Sequence, residues 1–142
     1  MVAQPAGKLP SSGRESRPMA GGSDIVIVRE RIAPEELGRL VRLHFQDMAK
    51  LVVDVERGVV GVGGELHADA EQVLLEDGSR PYDLWGANYY PGRGPERCLE
   101  YTALINVRPS QGNRTMTIQD RAVRERIRAL AFERIGRGEP LP

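Results

Sequence analysis

The sequence predicts an α+β fold: a largely antiparallel sheet of about five strands with three helices, in the chain order β-α-β-β-α-β-β-α. Three observations lead there. Short runs rich in β-branched residues, such as Ile25-Val26-Ile27-Val28 and Leu51-Val52-Val53, are bounded by Gly, Asp and charged residues. Other segments repeat their apolar residues with a period near 3.6. The chain has 142 residues, the length of one domain that needs no disulfide or metal staple.

Residues 1–23 hold Pro5, Pro10, Pro18 and several Gly and Ser without a hydrophobic period. They read as a disordered tail, and a single α+β domain is expected over 24–142. Ile25 to Val28 is the first strand. Pro34 suits the first turn of a helix, with Glu35 and Glu36 near its positive end. Leu37, Leu40, Val41, His44, Phe45 and Met48 form its apolar stripe, which makes His44 a satisfied core residue. Strands over 50–56 and 59–67 then form a hairpin turning at Arg57-Gly58. Asp69 is expected to cap a second helix that stops at Asp77-Gly78. Trp85, Ala87 and Tyr89 alternate with Asn88 along a strand over 84–90, and a Pro-Gly loop leads to a returning strand over 98–108. Asp120 caps the last helix, which runs to about Ile135 before Gly136. The first six elements have the order of a ferredoxin-like plait, the candidate architecture with an added strand and helix.

The most polar stretch is Leu104 to Asp120. Pro109 ends pairing there, Gly112 permits a positive φ, and Arg108 and Arg114 bracket Ser110, Gln111 and Asn113. Two guanidinium forks with amides and a hydroxyl suit a carboxylate or phosphate, and equally suit ion pairs that lock the turn. Asn88 and Asn106 are further candidate ligand-binding residues. In GGELHADAE, Glu65 and His67 would share one face of an extended strand, and with Asp69 they are the candidate catalytic groups of a histidine–carboxylate acid/base pair. One histidine among carboxylates makes a poor zinc set, so neither a metal nor another cofactor is expected.

Composition narrows the function classes. Formal net charge is zero, and Lys8, Arg14 and Arg17 against Glu15 put +2 in the first 23 residues and −2 in the rest. Nucleic acid is therefore not an expected partner. Of the 20 basic residues only Lys8 and Lys50 are lysine, a bias that a GC-rich genome explains. Cys98 is the single cysteine, so no disulfide forms within the chain. There is neither a membrane-length apolar run nor a signal core at the N-terminus, so no membrane partner and a cytoplasmic location are expected.

Through GGELHAD, DLWGAN and LINVRPSQGNR, in that order, the chain resembles a small prokaryotic family of unknown function. The resemblance covers about Ile25 to Ile135 and implies that residues 1–23 lie outside the family domain. It carries no activity with it. Two expectations follow from the residues themselves. One is a domain that binds a small anionic ligand, with or without catalysis, in a site formed by GGELHAD, Asn88 and RPSQGNR. The other is a non-catalytic homo-oligomeric module, a homodimer in its simplest form, with Trp85, Tyr89, Tyr90 and arginines at its interface.

Overall fold

In a computed structural model of the protein, the described residues are 24–142. The tail expected over 1–23 lies outside them. Five strands form one antiparallel sheet: β1 (Ile25–Val28), β2 (Ala49–Asp54), β3 (Val59–Gly63), β4 (Leu84–Tyr89) and β5 (Leu99–Glu100). Three helices complete the fold: α1 (Pro34–His44), α2 (His67–Glu76) and α3 (Arg121–Arg134). The predicted class and element order therefore hold.

The strand order is β1-β3-β2-β4-β5. A ferredoxin-like plait shares the run β1-β3-β2 but places its fourth strand beside β1. Here β4 pairs with β2 instead, so the plait refinement is corrected. The shift has a consequence for layering. Crossovers between parallel strands are right-handed. The β1-α1-β2 and β3-α2-β4 crossovers both move the same way across the sheet, but they start from oppositely directed strands. Right-handedness then sends α1 and α2 to opposite faces.

The packing follows that rule. On one face α1 and α3 cover Leu51, Val53, Val60, Val62, Trp85, Ala87 and Tyr89 in the larger core. On the other, α2 places Ala70 and Leu74 over Val52, Val59 and Leu84. The alternation along each strand sorts its residues between the two cores. Asp120 caps α3 as predicted, its Oδ1 accepting from Ala122 N–H at 2.8 Å and Val123 N–H at 3.2 Å. The C-terminal end of α2 is tied to the β2–β3 hairpin by Ser79, whose hydroxyl donates to the buried Asp54 at 2.6 Å, and by Arg57, which reaches Asp77 at 2.7 Å.

Three local expectations are corrected. The strand predicted over 59–67 stops at Gly63, because Gly63 and Gly64 take φ of +107° and +86°. A side chain on Gly63 would also strike the Asp24 carbonyl. The strand predicted over 98–108 pairs with β4 only at Leu99 and Glu100. Beyond them the segment takes its partners from its own downstream chain: Ala103 N–H donates to Met116 O, and Ile118 N–H to Tyr101 O, both at 3.0 Å. Leu99 and Tyr101 pack on the larger core and Ile105 on the smaller one, so the chain crosses from one face to the other at the sheet edge. Finally, α1 ends at His44, where Gln46 adopts φ of +70°, and His44 is exposed with its Nε2 3.2 Å from Asp24. It is not a core residue.

Candidate functional site

The face under α2 is incompletely covered. Lys50, Asn88 and Glu100 form a cross-strand row on it, because Lys50 pairs with Asn88 and Asn88 with Glu100. α2 begins at one end of this row, and the segment 102–106 passes beside it. Between them is a pocket of about 370 Å³. Its walls are largely apolar, from Leu66, Ala103, Leu104, Ile105 and Met116. Its polar groups are Lys50, His67, Asn88 and Thr102. Leu66, Leu104 and Met116 are among the most exposed large apolar side chains, so the mouth of the pocket is apolar as well.

His67 is the first residue of α2, and its ring lies 8% exposed against β4. Nε2 stands 2.8 Å from the Ala87 carbonyl oxygen. A carbonyl only accepts, so Nε2 carries the proton and the neutral ring presents a lone pair at Nδ1. The Asn88 side chain also lies within hydrogen-bonding reach of the imidazole. Burial pushes the His67 pKa below its ordinary value and the Lys50 charge adds to that, against weaker opposing effects of the Ala87 carbonyl and the Asn88 side chain. The positive end of α2 acts in the same sense as burial.

Lys50 is half-buried, with Nζ 4.9 Å from the centre of the Phe45 ring. It makes no hydrogen bond or ion pair with a described residue. Burial lowers its pKa, and Glu100 resists that shift. Asn88 donates to Glu100 Oε1 at 2.8 Å and to the Thr102 carbonyl at 3.3 Å. Asn88 Oδ1 is buried and accepts no hydrogen bond of good geometry.

The sequence-predicted residues divide sharply. His67 and Asn88 meet in this pocket. Glu65 is exposed on the loop before α2, off any strand shared with His67. Asp69 is in the first turn of α2, where its Oδ2 accepts from Leu66 N–H at 3.3 Å, so it closes the helix end from within rather than preceding it. Neither carboxylate bonds the imidazole, whose partner is a backbone carbonyl.

The RPSQGNR residues are drawn together elsewhere, mostly as staples. Arg108 donates to the Ile105 and Pro81 carbonyls at 2.9 and 3.0 Å, and its guanidinium lies 3.6 Å from Glu71 and over Trp85. Gln111 donates to the Tyr82 carbonyl at 3.0 Å. Ser110 and Arg114 are exposed. Asn113 is 3% exposed; its Nδ2 donates to the Asn106 and Thr115 carbonyls at 2.8 and 2.9 Å, and its Oδ1 accepts from Gln119 N–H at 2.8 Å.

Asn106, fully buried, replaces a missing strand. Its Oδ1 accepts from Gly86 N–H at 2.8 Å and its Nδ2 donates to the Gly86 carbonyl at 3.0 Å. These bonds continue the β4 edge that β5 leaves after two residues. The approach is so close that a Cβ on Gly86 would sit 2.5 Å from that of Ala103. Thus DLWGAN and LINVRPSQGNR interlock through Gly86 and Asn106. Trp85 and Tyr89 face the larger core, which removes them from the interface expected of an oligomeric module, and Tyr90 is half-buried.

Sequence reasoning passed over Lys50 and the apolar lip. The signal for Lys50 was present: it is the one lysine in residues 24–142, among arginines. No group of three or more His, Cys, Asp or Glu side chains converges among the described residues, and no helix of theirs is long and apolar enough to cross a membrane.

No curated protein and no solved structure matches the chain. A family profile described as "Protein of unknown function (DUF5674)" matches residues 26–133, from the first strand almost to the end of α3. That span is most of the chain and includes every residue of the pocket, and the protein belongs to this family.

Proposed function

We propose that the protein binds a small ligand with an apolar body and an acceptor oxygen, a carboxylate in the simplest case, in the pocket between α2 and the segment 102–106. One observation carries this reading: Lys50 Nζ, which makes no hydrogen bond or ion pair with a described residue, shares a single apolar-walled pocket with the His67 imidazole. Ligand sites have this character, with largely hydrophobic walls and a few placed polar groups. The ammonium donates to the ligand's acceptor, the unprotonated imidazole nitrogen accepts from a neighbouring hydroxyl or N–H, and the apolar lip holds the body. The anion partner is thus Lys50 rather than Arg108 or Arg114.

Calorimetric titration with 3-phenylpropanoate tests it. The native protein should bind the probe, and Lys50→Met, which keeps the aliphatic stem, should bind at least about tenfold more weakly, a loss of roughly 1.4 kcal/mol. The alcohol 3-phenylpropanol should also bind more weakly than the carboxylate. Equal affinity of the native protein and the Lys50→Met variant would overturn the proposal.

A further inference from the structure

Resting on that reading of the pocket, we infer that Lys50 is an amine nucleophile that forms an imine with a small aldehyde or ketone, and that His67 Nδ1 accepts and returns the proton. The ligand's acceptor oxygen is then a carbonyl oxygen.

The first ground is the choice of residue. Eighteen of the 20 basic residues are arginine. Lys50 is the one lysine of residues 24–142. A guanidinium is neither deprotonated nor nucleophilic at neutral pH, whereas an ammonium on a desolvated lysine gives up its proton. The second ground is placement. Lys50 projects from the middle strand of the sheet into an apolar-walled cavity, with Nζ against the Phe45 ring and no carboxylate in ion-pair contact. Its lowered pKa agrees with that environment. The third ground is the tautomer of His67. With Nε2–H held by the Ala87 carbonyl, the other ring nitrogen is a base in the same pocket.

The chemistry balances without an oxidant or reductant. The neutral Lys50 amine attacks the carbonyl carbon. An N–C bond forms, the C=O π pair moves to oxygen, and oxygen takes up a proton. The nitrogen passes its proton to His67 Nδ1. The imidazolium then protonates the carbinolamine hydroxyl, which leaves as water while the nitrogen lone pair closes the C=N bond. One amine, one carbonyl and one proton drawn from solvent give one protonated imine and one water. The substrate class is a small aldehyde or ketone with an apolar body.

The test uses 3-phenylpropanal with sodium cyanoborohydride, Nα-acetyl-lysine as a competing amine in the same tube, and peptide mapping by mass spectrometry. One reduced adduct is expected on Lys50, forming at least about tenfold faster than on the free amino acid. Lys50→Arg should abolish it. His67→Gln should slow the adduct several-fold and leave its location unchanged. Labelling of Lys50 no faster than of Nα-acetyl-lysine overturns the inference; if 3-phenylpropanoate still binds, the pocket reading survives, and if it does not, both fall. An unchanged rate in His67→Gln overturns the proton-acceptor role.

Discussion

The two faces of the sheet are built from the same strands and finished differently. The α1/α3 face is sealed: Leu51, Val53, Val60, Val62 and Ala87 all have 0% exposure beneath two helices. The α2 face has a single short helix, a smaller apolar cluster and, where that helix begins, a polar row beneath a pocket. One face therefore supplies most of the burial energy, and the other has room for partly solvated groups such as Lys50. Moving β4 from beside β1 to beside β2 divides the labour in this way, because it places α2 alone on its face.

That comparison can be broken or sharpened by substitution. Ile127→Ala on α3 should cost most, about 2–5 kcal/mol, since it removes a fully buried side chain from the sealed face. Urea denaturation reads the loss, and the affinity for 3-phenylpropanoate should not change. Asn106→Ala should cost about 2–4 kcal/mol, because the Gly86 N–H and carbonyl both lose their partner. It should weaken ligand binding as well, as Asn106 holds the segment that walls the pocket; an effect on stability alone would separate that segment from the site.

Arg108→Ala should destabilise the fold by about 1.5–3 kcal/mol through lost charged hydrogen bonds and leave binding intact. Weakened binding with unchanged stability would return the anion site to the RPSQGNR turn.

A smaller effect is set by pH. The folded-state pKa of His67 lies below its ordinary value, so the unfolded chain binds the proton more readily. The contribution is whole above about pH 6.5 and is lost as pH falls through the window below it, with a slope of at most about 1.4 kcal/mol per unit. His67→Gln should flatten that part of the stability profile measured by denaturation between about pH 5 and 7. Retention of the full slope would assign it to another group. Smallest of all, Leu104→Ser at the exposed lip should change stability by less than about 0.5 kcal/mol. It should nevertheless weaken 3-phenylpropanoate, which calorimetry would detect.

Local chemistry was legible in the sequence wherever neighbours in the chain decide the outcome. Pro34 opening α1, Asp120 capping α3, the hairpin between β2 and β3 and the alternation of Trp85, Ala87 and Tyr89 all need only adjacent residues and a repeat period. The sequence therefore determined the α+β class and the elements in order. Only the tertiary structure decided that β4 lies beside β2, that the segment after Glu100 leaves the sheet, and that the Asn106 amide stands in for the missing strand. Each of these is a choice of partner far along the chain, on which periodicity is silent. The site divides in the same way. His67 and Asn88 could be suspected as polar residues beside glycines, and so could the RPSQGNR side chains, because a staple and a ligand group have the same composition. What distinguishes them is whether each donor already has its acceptor, as Arg108, Asn106 and Asn113 have and Lys50 has not.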